Sequence, residues 1–441
     1  MEDCRLLRAG PLGRATAGYN RSMESARDDV LILGGGVIGL ACALYLLKAG
    51  ASVRVLEQGT PGCGSSHGNC GTITPSHAPP LAMPGMIGVA LRSIFRADAP
   101  LYLNPRMDGA RLRWLLGFAR HCNWGDFHAA TRARLAILRR SRRLLAELVR
   151  DDKLECEFAE QGTLLVYRTA RLQGTDEKKH ATVLESLGIE VQRLSGEQVE
   201  AMEPALKPGV VGGLLQPQDA SLRPDRYVAE LARRVVELGG VIESGARVEG
   251  FETDRTRITG VRSSRGPFRA ERVVLALGAW SPLLARQLDL RLPMQPGKGY
   301  SLTYDRPALA PRRALTLCEP SVCVTSWSGG YRLGSTMEFS GYREGLNRPR
   351  LDALRRGAAA FLREPEGGEL LEEWWGWRPM SVDEVPIIGA STHWANLWLA
   401  TAHGMLGVSM SAATGELVAA LLAGTPPAID AAPYAPARFG L

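Results

Sequence analysis

Residues 29–57 read DVLILGGGVIGLACALYLLKAGASVRVLE, with an apolar β-branched run at each end and a glycine-rich turn and helical pattern between them. This order predicts a strand, a tight turn, a helix and a second strand, which together make a βαβ unit. Gly34, Gly36 and Gly39 form GxGxxG directly after the first strand. Glycines at this spacing let the backbone turn tightly and approach a pyrophosphate. We therefore expect dinucleotide phosphates at the N-terminus of the helix.

Glu57 stands 21 residues after Gly36, at the end of the second strand. A carboxylate in this position can accept hydrogen bonds from both ribose hydroxyls of a dinucleotide, and it argues against NADP. The alternatives are a plain tight turn for the glycines and an exposed strand-end charge for Glu57. Because the flanking strand, helix and terminal acid occur together, we favour dinucleotide binding.

The next residues, 63–80, read CGSSHGNCGTITPSHAPP and are rich in small and polar side chains. This segment is too irregular for a helix and would let backbone amides and the side chains of Ser65, Ser66 and Asn69 approach a large planar cofactor. A nicotinamide enzyme would ordinarily continue with another βα unit. The segment therefore favours an extended cofactor such as FAD.

Composition excludes several other classes of protein. The net charge of +7 is spread over the chain without a long basic tract, so we do not expect nucleic-acid binding. A mild positive field could gather an anionic or zwitterionic substrate, or hold the protein near an anionic membrane surface. The eight cysteines contain no CxxC pair and the seven histidines no HxxxH pair. We expect reduced thiols and no metal site.

Both the hydropathy pattern and the N-terminus favour a soluble, cytoplasmic protein. No uninterrupted apolar run approaches the roughly 20 residues that span a bilayer, and residues 1–30 lack the apolar stretch of a secretory signal. Residues 1–27 are rich in arginine and are expected to be disordered. Met23 stands just before the first predicted strand, so one alternative is that translation starts at Met23 and that the extension is an artefact of an upstream start. A second alternative is that the extension is an organelle-targeting segment.

The remaining pattern predicts an α/β fold, in which a Rossmann-like FAD-binding domain is interleaved with an α+β substrate-binding domain that contains a mixed or antiparallel sheet. The FAD-binding domain is expected to be discontinuous, and the substrate-binding domain to act as a cap. The expected boundaries are 28–90, 220–290 and 374–425 for the FAD-binding domain, 91–219 and 291–373 for the cap, and 426–441 for a C-terminal tail.

Seven motifs occur in an order that resembles the D-amino-acid oxidase-like flavoprotein superfamily. They are GGGVIG (34–39), Glu57, SSHGNCG (65–71), VVLALGAWS (273–281), KGYSLT (298–303), GWRPMS (376–381) and TAHGMLG (401–407). Within the superfamily the chain is similar to the small D-amino-acid dehydrogenases, from about Asp29 to about Leu422.

The resemblance implies FAD held by the Rossmann-like half, with substrate on the face covered by the mixed sheet. Relatives with covalent flavin use a cysteine in the last motif, where this chain has Met405 and Leu406, so we expect noncovalent FAD. The residues expected around FAD are Gly34, Gly36, Val37, Ile38, Gly39, Glu57, Gln58, Ser65, Ser66, Asn69, Gly71, Thr72, Val248, Ala276, Gly278, Trp280, Gly404, Met405, Leu406, Gly407 and Val408.

Four residues are candidates for the substrate end. Arg378 in GWRP can grip an amino-acid carboxylate through two charge-assisted hydrogen bonds, as the family does; a structural ion pair is the alternative. Tyr300 could donate its hydroxyl to the same carboxylate or simply pack. His77 could line the pocket and His403 could tune the flavin or its substrate, although a lone histidine is often only hydrogen-bonded.

The family implies hydride transfer from the substrate Cα to flavin N5, which gives an imine and needs no nucleophile or general base. A primary amine would end as a 2-oxo acid, and D-proline or 4-hydroxy-D-proline as a pyrroline carboxylate. Three functions stay open: a D-amino-acid dehydrogenase that reduces a quinone or other carrier, an oxygen-using oxidase of the glycine or sarcosine type, and a non-catalytic FAD-binding component of a larger complex. The oligomeric state also stays open.

Overall fold

The structure, a computed structural model, describes residues 28–93, 100–105 and 108–441. The expected disorder of residues 1–27 concerns residues outside this description. The helices run as follows: α1 Val37–Lys48, α2 Met86–Ser93, α3 Gly109–His121, α4 Trp124–Asp151, α5 Ala170–Asp176, α6 Thr182–Ser186, α7 Gly196–Met202, α8 Pro224–Glu237, α9 Ser281–Ala285, α10 Arg348–Phe361 and α11 Gly407–Ala423.

The strands run as follows: β1 Asp28–Leu33, β2 Val53–Glu57, β3 Thr72–Ile73, β4 Leu101–Leu103, β5 Thr163–Tyr167, β6 Gln192–Ser195, β7 Gly212–Gln216, β8 Ala220–Ser221, β9 Val241–Ser244, β10 Val248–Asp254, β11 Arg257–Ser263, β12 Gly266–Phe268, β13 Ala270–Leu275, β14 Met294–Tyr304, β15 Ala314–Leu317, β16 Val322–Trp327, β17 Gly330–Gly334, β18 Met337–Phe339, β19 Leu370–Ser381, β20 Ile387–Ala390 and β21 Leu397–Thr401. They form one six-stranded and one ten-stranded sheet, with two small sheets beside them.

The six-stranded sheet, here the dinucleotide sheet, has the strand order β20-β21-β13-β1-β2-β9. Its strands are parallel except β20, which pairs antiparallel with β21. The predicted βαβ unit is confirmed, since β1, α1 and β2 follow one another and β1 pairs with β2. The carboxyl ends of β1 and β2 carry the glycine turn and Glu57, where dinucleotides bind in such sheets.

Helix α1 is apolar on nearly all sides, which requires burial on all sides. It packs against α11 and α8 and shares one hydrophobic core with the sheet. A Cβ at Gly415 of α11 would lie 2.4 Å from the carbonyl oxygen of Ala41, so the two helices approach as closely as glycine allows. This contact fixes α11, whose first residues belong to the predicted C-terminal cofactor motif.

The ten-stranded sheet, here the cap sheet, has the order β4-β18-β14-β17-β16-β15-β5-β7-β6, and β19 also pairs with β14. Most neighbours are antiparallel, but β15 pairs with β5 and β18 with β4 in parallel. The predicted mixed sheet is therefore confirmed. Helix α10 buries Leu351, Leu354 and Phe361 in the same core as this sheet.

Strands β14 and β19 form the longest pairing, from Met294 opposite Ser381 to Tyr304 opposite Leu370. The expected domain boundary at 374 falls inside β19, so residues 374–381 are part of the cap sheet. The C-terminal residues pack against the dinucleotide side, where Arg438 pairs with Asp383 at 2.9 Å. Among the described helices none combines the length and the apolar character that crossing a bilayer requires.

Candidate functional site

The glycine turn is closed on its sheet side and open on the other. Gly34 has φ of +107°, and a Cβ there would lie 2.6 Å from the carbonyl oxygen of Ala276. A Cβ at Gly39 would lie 1.9 Å from the carbonyl oxygen of Gly34, whereas at Gly36 the nearest described atom, Ser66 Oγ, is 3.7 Å away. Gly36 caps α1 without a side chain, and a helix N-terminus attracts an anion through its backbone N–H groups and its dipole.

Glu57 ends β2 beside this turn, as its spacing predicts. Its carboxylate accepts hydrogen bonds from the backbone N–H groups of Gly35, at 2.8 Å, and Gly59, at 2.9 Å. Burial raises the pKa of Glu57, and those backbone donors partly oppose the rise. Gln58 follows at the strand end. The carboxylate is therefore held beside the turn, where a ribose would lie.

The segment 63–73, here the small-residue loop, closes over the helix N-terminus. Ser66 Oγ accepts a hydrogen bond from Val37 N at 3.1 Å, and Asn69 Oδ1 accepts one from Gly71 N at 2.7 Å. Gly71 has φ of +74°, and a Cβ there would lie 1.9 Å from the carbonyl oxygen of Leu222. The loop ends in Thr72 of β3, which pairs with β8. Glycine is thus required at 71 by both conformation and space.

A buried arginine of the cap sheet holds the small-residue loop. Arg332 Nη1 donates to the carbonyl oxygens of His67 and Asn69, both at 2.7 Å, and its Nε donates to Thr303 Oγ1 at 2.9 Å. Glu372 lies 3.6 Å from Arg332 Nη2 and 2.7 Å from His67 Nε2. Only 4% of the Arg332 side chain is exposed. Sequence reasoning missed this residue, because an arginine in a strand carries no sign of a partner loop about 260 residues earlier.

The central motif reaches the same site from the other side. Ala276 N donates to Leu33 O at 2.9 Å, which continues the β13–β1 pairing to the glycine turn. Gly278 has φ of +55°, and a Cβ there would meet no described atom within 4 Å. The Trp280 and Trp377 rings are 5.4 Å apart and steeply inclined. Val248, at the start of β10, is buried in the neighbouring core.

The C-terminal motif lies against the end of β19. Gly404 N donates to Pro379 O at 3.0 Å, and His403 forms an isolated bridge with Met380. Gly404 has φ of +56°. Met405 and Leu406 complete the turn, and α11 begins with Gly407 and Val408 without a side-chain cap in the described part of the chain. The structure therefore brings this motif next to the GWRPMS motif.

Arg378 lies on β19 with its guanidinium over β14. A Cβ at Gly299 would lie 2.4 Å from the Arg378 Cζ. Nη1 donates to the carbonyl oxygen of Thr336 at 2.5 Å, and the described residues place no carboxylate within ion-pair distance. Burial lowers the pKa of Arg378, yet the residue keeps partial exposure. Arg378 is therefore a deeply set cation without an ion-pair partner among the described residues.

Two residues next to Arg378, one in sequence and one in space, carry buried donors without acceptors. Thr336 Oγ1 and Trp377 Nε1 have no hydrogen-bond partner among the described residues. Buried polar groups are mostly satisfied, so these two donors are available to a ligand, as are unsatisfied polar atoms elsewhere in the described chain. Trp377 also packs against Trp280 of the central motif. Because side chains alternate along a strand, Trp377 and Arg378 point to opposite faces of β19, so Thr336 is the residue that combines an unsatisfied donor with a contact to the Arg378 guanidinium.

Tyr300 is only 1% exposed, and its hydroxyl donates to Glu338 Oε2 at 2.8 Å. Glu338 Oε2 also accepts a hydrogen bond from Asn347 Nδ2 at 3.1 Å. Burial first, and then the charge of Glu338, raise the pKa of Tyr300. The hydroxyl proton of Tyr300 is thus engaged by Glu338 in the structure.

The two candidate histidines occupy different surroundings. His77 ends a short 3₁₀ turn with an exposed side chain, and its carbonyl oxygen accepts from Arg134 Nη2 at 3.0 Å. His403 is 4% exposed, and its Nε2 lies 2.9 Å from Thr414 Oγ1. The Thr414 hydroxyl donates to Met410 O, so Nε2 of His403 carries the proton that Thr414 accepts. Burial lowers the pKa of His403 to about 3, which keeps the ring neutral.

These residues fit a bound dinucleotide, since the open side of Gly36, the N-terminus of α1 and the held Glu57 provide room, positive potential and a ribose acceptor. Comparison with known proteins also indicates a dinucleotide cofactor. Residues 29–421 match the model of the FAD dependent oxidoreductase family, DAO.

Curated relatives cover nearly the whole chain. A D-amino acid dehydrogenase of Allorhizobium ampelinum is 34% identical over 419 residues, which are 93% of this chain and 98% of the relative. A D-amino acid dehydrogenase of Bradyrhizobium diazoefficiens is 35% identical over 410 residues, 91% of this chain and 96% of that protein. The resemblance drawn from the seven motifs is confirmed.

Solved structures share the fold. Glycine oxidase from Geobacillus kaustophilus superposes with a TM-score of 0.74 at 24% identity and covers 93% of this chain and 98% of its own. L-proline dehydrogenase from P. horikoshii superposes with a TM-score of 0.70 at 19% identity, covering 94% of this chain and 98% of its own. At these identities the likeness concerns the architecture alone.

Proposed function

The chain belongs to the FAD dependent oxidoreductase family, and from this premise we propose that it dehydrogenates a D-amino acid and passes the electrons to a quinone or another carrier. The names of the curated relatives support this substrate class, because their similarity extends over more than nine-tenths of the chain. The proposal includes cyclic substrates such as D-proline and 4-hydroxy-D-proline, which also have a hydrogen on the carbon next to the amine.

The proposal rests mainly on the surroundings of the Arg378 guanidinium. It is a deeply set guanidinium with no carboxylate in ion-pair distance among the described residues, although buried charges are normally paired. An amino-acid carboxylate would supply the missing partner through two parallel hydrogen bonds. We assign Arg378 this role, and the unsatisfied Thr336 Oγ1 beside it is a second donor for the same ligand.

The site residues divide into holding and orienting groups. Bound FAD would supply the hydride acceptor for the substrate Cα–H. We propose that the glycine turn, Glu57 and the small-residue loop hold this cofactor. Arg378 would hold the carboxylate end of the substrate, which fixes the Cα position.

His403 does not act as an acid in this proposal. Its pKa of about 3 leaves it neutral at the pH where an amino acid is oxidised, and its one assigned proton is donated to Thr414. We propose that His403 instead fixes the start of α11 relative to β19. Tyr300 supports the cap through Glu338 rather than through the substrate.

The test is anaerobic mixing of the purified FAD-containing protein with a panel of D-amino acids, their L-enantiomers, D-proline and hydroxyproline isomers. We expect D-isomers to bleach the visible absorbance of the flavin and the matched L-isomers to leave it unchanged. A protein that dithionite reduces but no amino acid reduces would refute the proposed activity. Reoxidation by a soluble quinone, compared with peroxide production in air, then separates a dehydrogenase from an oxidase.

A further inference from the structure

Two thiols from distant parts of the chain meet at the wall beside Arg378. Cys70 belongs to the small-residue loop, and Cys323 lies on β16 directly opposite Gly334 of β17. A Cβ at Gly334 would lie 2.6 Å from the Cys70 Sγ. The sulfur of Cys70 therefore occupies the space of the missing Gly334 side chain.

This placement puts both sulfurs on one face of the cap sheet. Residues directly opposite in an antiparallel pair point to the same face, with Cβ atoms about 5 Å apart. Cys70 Sγ lies where a Gly334 side chain would lie, and Gly334 is directly opposite Cys323. Cys70 Sγ is therefore next to the Cys323 side chain. Both thiols are reduced in the structure.

The electrostatic surroundings of the pair favour reaction at Cys70. The hydrogen bond with Cys323 lowers the pKa of the Cys70 thiol; burial opposes this, and the positive charges of Arg332 and Arg378 add to the lowering. The thiolate is the reactive form of cysteine, and reactive cysteines lie next to arginine or lysine. The pKa of Cys323 is raised by its hydrogen bond with Cys70 and by burial, so Cys323 is the second to react.

We propose that Cys70 and Cys323 form an oxidisable dithiol that closes to a disulfide between the small-residue loop and the cap sheet, with a hydroperoxide as the oxidant. The Cys70 thiolate attacks a peroxide oxygen, the O–O bond breaks and a sulfenic acid forms. The Cys323 sulfur then attacks the Cys70 sulfur and displaces water. With hydrogen peroxide, two thiols and one peroxide give one disulfide and two waters, and two electrons pass from sulfur to oxygen.

The disulfide would add a covalent link to a contact that Arg332 already makes by hydrogen bonds. The same loop that Arg332 holds through His67 O and Asn69 O would be joined to β16 one residue later, at Cys70. Because the loop closes over the α1 terminus, we expect a covalent link that holds it in place to hinder the release of FAD. We expect oxidation to slow the dissociation of FAD severalfold.

The experiment treats the FAD-containing protein with one equivalent of hydrogen peroxide, blocks remaining thiols under denaturing conditions and maps peptides without reduction. We expect a Cys70–Cys323 linked peptide, two hydrogens lighter than the two separate peptides and released by dithiothreitol. Cys122, which is half-buried at the end of α3, is the internal control and should stay alkylated.

Matched variants separate the link from general oxidation. Cys70→Ser and Cys323→Ser should each abolish the linked peptide and the slower FAD release, whereas Cys122→Ser should preserve both. Full alkylation of Cys70 and Cys323 after peroxide, or linkage of Cys70 to another cysteine, would overturn the proposal. Both readouts are independent of turnover, so the outcome stays interpretable whatever the substrate.

Discussion

The guanidinium of Arg378 lies over Gly299 of the adjacent strand β14, in space that any side chain at position 299 would take. A Cβ there would lie 2.4 Å from Arg378 Cζ and from Nη1. The guanidinium can therefore take this position only because residue 299 is a glycine. The two residues can be tested separately.

Arg378→Ala should raise the substrate KM by about two orders of magnitude, because two hydrogen bonds to a charged group are lost at about 1.5 kcal/mol each. FAD content should stay near that of the unmodified protein. Steady-state kinetics and flavin absorbance measure both. Arg348→Ala, at an exposed arginine of the cap that pairs with Glu373, is the control and should leave KM unchanged. An unchanged KM in Arg378→Ala would place the carboxylate site elsewhere.

Gly299→Ala should reproduce much of that loss without removing the cation. The clashing atoms are the far end of a flexible side chain, so the guanidinium can move while the strand pairing survives. We expect a KM increase of at least tenfold and an almost unchanged melting temperature. The control is Gly88→Ala in α2, where a Cβ meets no described atom within 4 Å. Gly345→Ala is not a suitable control, because a side chain is strained at the φ of +87° that Gly345 adopts. A normal KM in Gly299→Ala would show that the guanidinium position is not critical.

Two alanine substitutions in the glycine turn should separate folding from cofactor binding. At Gly39 a Cβ would lie 1.9 Å from a backbone oxygen, so Gly39→Ala should destabilise the protein even without FAD. At Gly36 the nearest described atom is 3.7 Å away, so Gly36→Ala should leave the apoprotein stable. The added methyl group would occupy the space proposed for the pyrophosphate, so we expect FAD binding to weaken at least tenfold. Thermal unfolding of apoprotein and FAD titration measure the two effects. Equal FAD affinity in Gly36→Ala would contradict this placement of the phosphates.

Arg332→Lys should weaken FAD binding, although the positive charge is kept. A lysine cannot reproduce the fork that donates to His67 O, Asn69 O and Thr303 Oγ1 together. We expect the dissociation constant of FAD to rise about tenfold, with the KM of the FAD-saturated enzyme changed less. Fluorescence titration with FAD is the measurement. Arg306→Lys, which alters an exposed arginine bonded to Trp327 O, should bind FAD normally. If both variants bind FAD alike, the fork does not position the loop.

His403 should make the protein acid-sensitive. Its pKa falls from 6.5 to about 3 on folding because of burial, so it contributes stability above about pH 6.5 that is lost as pH falls toward 3. At about pH 5 the loss is about 2 kcal/mol relative to pH 8. Urea unfolding of the wild type and His403→Gln at both pH values measures it. The variant should be relatively more stable at the acid pH; an equal pH response in both proteins would mean that the ring titrates normally.

The sequence was most informative where local chemistry dictates structure. The βαβ unit was predictable because the β-branched runs, the GxGxxG spacing and Glu57 all act within thirty residues. The mixed cap sheet was predictable as a class, from strand patterns between aromatic and glycine residues. Its extent was not, since β19 reads equally well as the start of the next domain until its pairing with β14 is seen.

Contacts between distant segments account for what sequence reasoning missed. Arg332 appears as one residue of a strand, and only the folded chain brings it to His67 and Asn69. Tyr300 illustrates the opposite case, because its place in the KGYSLT motif suggested ligand binding, whereas its hydroxyl donates to Glu338. Both outcomes depend on partners that hydropathy and spacing do not encode.

The interleaving of the two sheets has a consequence for protein synthesis. The central strand β1 is made first, but the dinucleotide sheet also needs β13 and then β21, which ends at Thr401. A ribosome must therefore release almost the entire polypeptide before the sheet is complete. Nascent chains that stop within the cap would expose the apolar surfaces of β1 and α1, and these unfinished chains would depend on chaperones until the last helix docks.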